Sequence, residues 1–192
     1  MTLPLILASA SPRRLDLLKQ IGIVPDAVDP AELDESVHKG EMPLPYARRV
    51  TREKALVVAA RHAGKFVLAG DTVVSVGRRI LPKGETRADF DTCFKLLPGR
   101  RHKVTTALAL VTPTGAVFED VATATVVFSR LTPAQIEAYY ATGEWQGKAG
   151  AYGYQGHAAA FIRTTMGNYS TIIGLPLYEL SRLLKRGGYH HG

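Results

Sequence analysis

The sequence predicts an α/β protein with a mixed central sheet, flanking helices and two lobes around a cleft. Through the first half of the chain, short apolar runs alternate with segments of helical spacing, which is typical of strands joined by helices. Two β-rich runs, His102 to Val111 and Val117 to Phe128, then flank a Thr-Pro-Thr-Gly turn and predict an antiparallel pair. The 192 residues, 46% of them hydrophobic, can bury one sizeable core. We assign residues 1–186 to a single domain and residues 187–192 to a flexible tail.

The first strand, turn and helix form the stretch around which we interpret the rest of the chain. The apolar run Leu5 to Ala8 predicts a buried strand, and the leucines between Leu15 and Leu18 have helical spacing. Ser11 suits the N-cap of this helix because its hydroxyl can accept an unpaired backbone N–H. Pro12 suits the first helical position, where no donor is needed.

Two arginines in the first turn of this helix point to an anion. Arg13 and Arg14 oppose the positive end of the helix dipole, which costs about 0.3 to 1 kcal/mol in the absence of a bound anion. Together with the hydroxyls of Ser9 and Ser11, their guanidinium groups are typical of a phosphate site at a helix start. The alternative is a solvated pair of arginines on an ordinary helix.

The next segments are a strand from Val24 to Val28, an acidic turn and a helix from Pro43 to Arg61. The turn contains Asp34 and Glu35; such pairs usually lie in water, but one of them is a candidate metal ligand. Lys54 falls within the apolar stripe of the helix. Either its stem packs while its ammonium reaches water, or the ammonium binds an anion in a cleft.

An acidic residue interrupts the next apolar run. Phe66 to Ala69 predicts a strand that leads into Gly-Asp-Thr, and Val73 to Val76 with Arg79 to Leu81 predicts a hairpin. Asp71 lies where a buried strand is expected, so its carboxylate needs a partner, a metal ion or a catalytic role. The alternative is a structural role in which it caps a neighbouring backbone segment.

The second half of the chain continues the alternation of elements. A glycine-rich segment, Gly147 to Gly156, would let the backbone approach a ligand while Tyr152 or Tyr154 offers an aromatic face and Gln155 an amide. Its alternative is a turn with core aromatics. The remaining predicted elements are helices over Thr86–Leu97, Thr132–Gly143 and Leu175–Leu184 and a strand over Ala158–Thr165.

The formal net charge of +7 predicts attraction to polyanions such as nucleotides, nucleic acid or acidic membranes. A basic nucleic-acid-binding module is the best rival from another class, because Arg100 to Lys103 form a basic cluster. No recognised nucleic-acid motif, phosphate loop or zinc motif accompanies that cluster. The single Cys93 excludes an internal disulfide. No apolar run approaches the roughly 18 residues of a membrane span. We therefore expect a cytoplasmic protein that does not bind a membrane. Because no nucleic-acid motif is present, we also expect no nucleic-acid partner.

Taken together, the motifs resemble the Maf family of nucleoside triphosphate pyrophosphatases along nearly the whole chain. In order, they are LASASPRRLDLL from Leu7, Asp34-Glu35, REKA at Arg52–Ala55, GDTVV at Gly70–Val74, and GKAGAYGYQG at Gly147–Gly156 followed by GLPL at Gly174–Leu177. The resemblance implies an α/β fold with a cleft, a homodimer, and hydrolysis between the α and β phosphates with a divalent metal, Mg²⁺ or Mn²⁺.

The resemblance also implies roles for individual residues. Asp71 would be the proton acceptor and, with Glu35, a metal ligand. The positions that set substrate choice would be Arg13, Thr72 and Gln155, and other phosphate- or metal-facing positions would be Ser9, Arg14, Glu35, Lys54 and Lys83. Family members often have proline after the second lysine, whereas here the order is Leu81-Pro82-Lys83-Gly84.

The glycine-rich segment resembles the family branch that acts on dTTP and UTP, because Gln155 stands where the 7-methyl-GTP branch typically has an acidic residue. A glutamine amide matches the O4 and N3–H edge of uracil or thymine, but guanine offers the same pattern, so pocket size must contribute to selection. A pyrophosphatase for 7-methyl-GTP or ITP is therefore the alternative enzyme. Residues alone also leave open whether Asp71 takes a proton or binds the metal.

Overall fold

The computed structural model describes residues 3–190 and confirms the mixed α/β architecture. Its elements are β1 (Leu5–Leu7), α1 (Pro12–Gln20), β2 (Ala27–Val28), α2 (Pro43–Arg61), β3 (Phe66–Val76), β4 (Arg79–Ile80), α3 (Arg87–Phe94), β5 (Arg101–Val111), β6 (Val117–Phe128), α4 (Pro133–Ala141), a 3₁₀ turn (His157–Phe161), β7 (Ile162–Met166), α5 (Tyr169–Ile173) and α6 (Leu177–Gly187). None of the helices in this part of the chain is both long and apolar enough to cross a bilayer.

The strands described in residues 3–190 form one seven-stranded sheet in the order β2-β1-β3-β5-β6-β7, with β4 pairing a different part of β3. Strand β1 is parallel to both β2 and β3, and the remaining pairs are antiparallel. The long hairpin β5–β6 is confirmed in register from Arg101 opposite Val127 to Val111 opposite Val117. The sheet is mixed because the connections through α1 and α2 make β1 parallel to β2 and β3, whereas the hairpins β3–β4 and β5–β6 give antiparallel pairs.

A gap beside β3 creates the cleft. On one side, β3 pairs with β5 from Val67 to Ser75, whereas on the other side its pairing with β1 ends at Leu68 and its pairing with β4 begins at Ser75. Neighbouring side chains in a strand point to opposite faces. Near an open edge, however, both Asp71 and Thr72 can reach the same cavity.

Helices cover both faces of the sheet. On one face, Ala55 and Val58 of α2 pack on Val67 and Ala69 of β3, all fully buried. On the other face, one core lies under α1 and α6 and a second lies under α3 and α4 around the fully buried Phe90. These two cores form the lobes on either side of the cleft.

Several element boundaries differ from the sequence predictions. Phe66–Val76 is one continuous strand, because the polar Asp71 and Thr72 side chains find partners without breaking the pairing to β5. The predicted strand over Val24–Val28 is reduced to Ala27–Val28. The strand predicted over Ala158–Thr165 begins with a 3₁₀ turn.

Two differences concern the C-terminal part of the chain. Helix α5, Tyr169–Ile173, has five residues, too few to produce a helical period in the sequence. Helix α6 extends to Gly187, and Tyr189 is buried with its ring at 5.3 Å from that of Phe66. The chain thus stays packed beyond the predicted start of the tail at residue 187, while residues 191 and 192 lie outside the described part.

Candidate active site

A cleft of about 600 Å³ opens at the gap beside β3, between the two lobes. Every site residue predicted from the sequence lines it, namely Ser9, Arg13, Arg14, Glu35, Lys54, Asp71, Thr72, Lys83 and Gln155. The cleft also contains Glu144 and Lys148, which the sequence analysis did not single out. In total, the lining includes five Arg or Lys side chains and three Asp or Glu side chains. The cationic excess suits an anionic ligand.

Two carboxylates converge on one ammonium at the base of the cleft. Lys54 Nζ donates to Asp71 Oδ1 at 2.7 Å and lies 2.9 Å from Glu35 Oε2. The side chains of Lys54 and Asp71 are each only 12% exposed, whereas that of Glu35 is 37% exposed. Lys54 therefore does not extend from the apolar stripe into open water. It reaches anions within the cleft, the second of the two interpretations that its position allowed.

The second oxygen of Asp71 is left open toward the cleft. Among residues 3–190, Asp71 Oδ2 receives no hydrogen bond, and Asp71 retains 8% of its exposure. An ionised carboxylate oxygen of this kind can accept a proton or bind a hard cation. Asp71 thus does not cap a neighbouring backbone segment.

The acidic loop that carries Glu35 is anchored to helix α2. The hydroxyl of Tyr46 donates to the Glu35 carbonyl at 2.8 Å, and Arg49 Nη2 donates to the Ser36 carbonyl at 3.0 Å. Burial, followed by the charges of Asp71 and Glu35, raises the pKa of Tyr46 to about 12, so it remains a donor. Asp34 instead accepts the backbone N–H of Ser36 at 2.9 Å and stabilises the turn. Of the acidic pair, only Glu35 faces the cleft.

Arg14 organises the walls of the cleft. Its Nε donates to the Gly174 carbonyl at 2.8 Å, its Nη1 to Ser9 Oγ at 2.8 Å and its Nη2 to Thr72 Oγ1 at 3.3 Å. Burial lowers the pKa of Arg14, and the charge of Asp71 opposes that shift. Much of its donor capacity is used within the protein, so Arg14 holds three segments of the cleft together. Arg13, the preceding residue, is half-buried, and this burial lowers its pKa.

The predicted helix cap differs in one detail. Ser11 occupies the N-cap of α1 and Pro12 its first turn, as expected, but the Ser11 hydroxyl makes no capping hydrogen bond. Instead, the Ser11 N–H donates to Ser9 Oγ at 3.2 Å. The contact keeps Ser9 next to the arginines of the first turn.

The glycine-rich segment pairs with the loop that carries Lys83. An isolated bridge joins Lys83 to Ala149, and the Gly150 N–H donates to the Pro82 carbonyl at 3.0 Å. Gly150 has φ +68°, and a Cβ there would lie 2.8 Å from Val74 Cγ1, so only glycine fits. The pairing defines the path of the Lys83 loop despite its unusual Pro-Lys order.

Glu144 and Lys148 stabilise the turn that presents Gln155. Glu144 Oε1 lies 2.6 Å from His157 Nδ1, and Glu144 Oε2 accepts the His157 N–H at 2.7 Å. The side-chain contact and then the backbone contact hold the pKa of Glu144 below its usual range. Lys148 donates to the Glu144 carbonyl, and burial lowers its pKa. Lys148 belongs to the glycine-rich segment Gly147–Gly156, but only tertiary contacts place its side chain in the cleft.

The two tyrosines of this segment behave differently. Tyr152 is 5% exposed, packs on Phe128 and hydrogen-bonds His102 Nε2 at 2.8 Å, so it is mainly a core residue. Tyr154 is half-buried and lines the cleft beside Gln155. Of the two predicted aromatic faces, Tyr154 is the better exposed to a ligand.

The part of the chain that the structure describes has no cluster of three or more His, Cys, Asp or Glu side chains arranged to hold a metal ion. The donor set nevertheless fits a hard divalent cation. Glu35 and Asp71 converge on the same ammonium within 2.9 Å, and Mg²⁺ sites commonly use one or two carboxylates together with substrate phosphates. These two residues are the candidates to hold such an ion.

Comparison with known proteins shows the family of this chain. Residues 4–187 match the family model described as Maf-like protein. The dTTP/UTP pyrophosphatase of Rhodospirillum rubrum is 57% identical over 189 residues, which cover 98% of this chain and 90% of the relative. The dTTP/UTP pyrophosphatase of Caulobacter vibrioides is 55% identical and covers 96% of both chains. Among solved structures, the Staphylococcus aureus Ham1 protein aligns over 95% of this chain and 96% of its own with a TM-score of 0.46 and 14% identity. On the strength of the family match and these identities, the chain belongs to the Maf family.

Proposed function

We propose that this protein hydrolyses nucleoside triphosphates, dTTP and UTP foremost, to the nucleoside monophosphate and pyrophosphate. The observation that carries the proposal is the pair of carboxylates, Asp71 and Glu35, bridged by Lys54 in a cationic cleft. Support also comes from relatives named dTTP/UTP pyrophosphatase at 57% and 55% identity.

The cleft has the charges that cleavage of a triphosphate requires. A triphosphate carries nearly four negative charges, and its hydrolysis requires their neutralisation and a positioned water. Arg13, Lys83 and Lys148 approach from three different segments, and Arg14 fixes the wall between them. Ser9 Oγ already accepts from Arg14 and from the Ser11 N–H, so its own proton is available to a phosphoryl oxygen.

We assign the role of proton acceptor to Asp71. Lys54 holds Asp71 Oδ1 at 2.7 Å, which orients the carboxylate while Oδ2 remains available to a water molecule in the cleft. Glu35 and Asp71 are the residues that would hold Mg²⁺ or Mn²⁺. When bound there, the cation supplies positive charge to the phosphoryl oxygens. Proton transfer of this kind typically contributes on the order of 100- to 10,000-fold in rate.

The proposal is tested with purified protein, Mg²⁺ and a panel of UTP, dTTP, CTP, GTP, 7-methyl-GTP and ITP, with pyrophosphate and orthophosphate detected separately. We expect pyrophosphate release to be fastest with UTP and dTTP and to stop when EDTA removes the metal. Faster turnover of 7-methyl-GTP or ITP would favour the alternative enzyme. No hydrolysis, together with a salt-sensitive gel shift, would favour the nucleic-acid-binding module.

Two further expectations belong to the same proposal. A cytoplasmic location would give the cleft access to nucleoside triphosphates, and cell fractionation tests it. The family resemblance implies a homodimer, which sedimentation of the purified chain tests. A sedimenting mass equal to the 20.8 kDa of one chain would contradict the dimer.

A further inference from the structure

A chain of hydroxyl groups crosses the sheet behind the cleft. Thr72 Oγ1 lies 2.9 Å from Thr106 Oγ1, and Thr106 Oγ1 lies 2.8 Å from the Thr171 carbonyl oxygen. Thr72 and Thr106 are directly opposite each other on β3 and β5. Thr106 is fully buried, whereas Thr72 lines the cleft.

The direction of each hydrogen bond in this chain follows from chemistry. A carbonyl cannot donate, so the single proton of Thr106 must go to Thr171 O. In the contact between the two hydroxyls, Thr72 is therefore the donor and Thr106 the acceptor. Arg14 Nη2, which has only protons to offer, donates to Thr72 Oγ1 at 3.3 Å. Thr72 has no proton left for a ligand and keeps one lone pair.

The end of helix α5 explains why Thr171 O is available. Helix α5 ends at Ile173, and the N–H groups of both Gly174 and Leu175 donate to Ser170 instead. The last carbonyls of a helix need partners from outside it, and Thr106 is the partner of Thr171 O. Gly174, at φ +121°, leaves space for this arrangement, because a Cβ there would lie 3.1 Å from Thr72 Oγ1.

Ser9 and Thr72, which both line the cleft, thus differ in what their hydroxyls can offer a ligand. Ser9 Oγ accepts from Arg14 Nη1 and from the Ser11 N–H, so it can donate to an anionic oxygen. Thr72 can only accept, and an ionised phosphate has no proton to give it. An N–H or O–H group of the nucleoside is a partner that fits this acceptor.

We propose that Thr106 is a positioning residue that fixes the Thr72 hydroxyl as the acceptor for the N3–H group of uracil or thymine, while the Gln155 amide donates to O4. The proposal rests on the proposed function and concerns how the same site selects its base. Cytosine N3 is an acceptor and carries no proton. With CTP, the lone pairs of cytosine N3 and Thr72 Oγ1 would therefore face each other with no hydrogen bond between them. Thr106 would therefore favour UTP over CTP although it does not touch the nucleotide.

The test compares kcat/KM for UTP and CTP in the wild type and in Thr106→Val, which keeps the shape but removes the hydroxyl. Without Thr106 as acceptor, the Thr72 proton can turn toward cytosine N3. One hydrogen bond corresponds to a roughly three- to tenfold effect, so we expect the UTP/CTP ratio to fall by about that factor. Thr106→Ser retains the hydroxyl and should restore the ratio.

Thr105→Val is the matched control, because Thr105 is also buried on the same strand but its hydroxyl contacts Thr123 Oγ1 at 3.0 Å, outside the chain of hydroxyls. It should leave the ratio unchanged. If Thr106→Val does not fold, as judged by its thermal transition, Thr106→Ala replaces it. A folded Thr106 variant with the wild-type UTP/CTP ratio would overturn this proposal. A wild type that hydrolyses neither nucleotide would overturn the proposed function instead.

Discussion

Replacement of Asp71 by asparagine separates the chemistry of the cleft from its folding. Asparagine keeps the size of the side chain and an oxygen that can accept from Lys54, but it can neither take a proton from water nor hold a cation strongly. At 2.7 Å and an effective dielectric constant of 20, the lost attraction to Lys54 is about 6 kcal/mol before desolvation is subtracted.

The net cost in stability should be much smaller than this attraction. Lys54 keeps Glu35 at 2.9 Å, so the variant leaves no buried charge unpaired. We expect a loss of about 1 to 2 kcal/mol instead of the roughly 3 to 5 kcal/mol typical of a broken buried pair. For a chain of this length, that corresponds to a fall in Tm of about 2 to 8 °C.

Turnover should fall far more than stability. Loss of a general base predicts a decrease in kcat of about 100-fold or more, equivalent to about 2.7 kcal/mol of barrier. The assay is steady-state pyrophosphate release from UTP at saturating Mg²⁺. Asp120→Asn is the control, since Asp120 is a partly buried carboxylate of β6 that does not line the cleft. A folded Asp71→Asn protein with near-normal kcat, or an equal loss in Asp120→Asn, would refute the assignment.

Three further predictions follow from the contacts of the cleft and core. Gln155→Glu should slow UTP and dTTP hydrolysis more than that of other triphosphates, because a carboxylate cannot donate to O4; unchanged relative rates would count against base recognition by this residue. Lys54→Met leaves the buried Asp71 carboxylate and Glu35 without their shared cation. We therefore expect kcat/KM to fall about 100-fold and urea denaturation to show a loss of about 3 to 5 kcal/mol, while Lys19→Met, at an exposed site, should change neither. Burial lowers the pKa of His102 from 6.5 to about 4; the unfolded chain therefore binds this proton more readily, and stability should fall by about 2 kcal/mol between pH 7 and pH 5. His102→Gln should flatten that pH dependence in thermal unfolding, and an unchanged slope would exclude His102 as its source.

Local signals predicted the long hairpin and the helices other than α5 well. Helix α2 has the predicted bounds Pro43–Arg61, because prolines at its start and a glycine shortly after its end act on the nearby backbone. The helix predicted over Thr86–Leu97 is shorter at its C-terminal end, but its cap Thr86 is confirmed by hydrogen bonds with Asp89. Such features depend on neighbours within a few residues, so the sequence contains them.

The sequence named residues that the fold brings together, but it missed Glu144 and Lys148 and did not determine the arrangement. The chemistry of Asp71 and the motifs shared with the Maf family identified residues that all line one cleft. The sequence could not decide whether Lys54 extends into water or toward an anion. The structure answers this with two carboxylates from separate segments, because Glu35 comes from a loop anchored by Tyr46 and Asp71 from the open edge of β3.

The sequence by itself thus determined most of the strands and helices, the cationic character of the chain and the residue types available for phosphate chemistry. Only the tertiary structure decided which atoms of those residues remain free for a ligand. Arg14 donates to Gly174, 160 positions away, and Thr106 meets Thr171 through strand pairing and the end of α5. A hydroxyl has one proton, so its ability to donate or accept is set by the partners that folding brings to it.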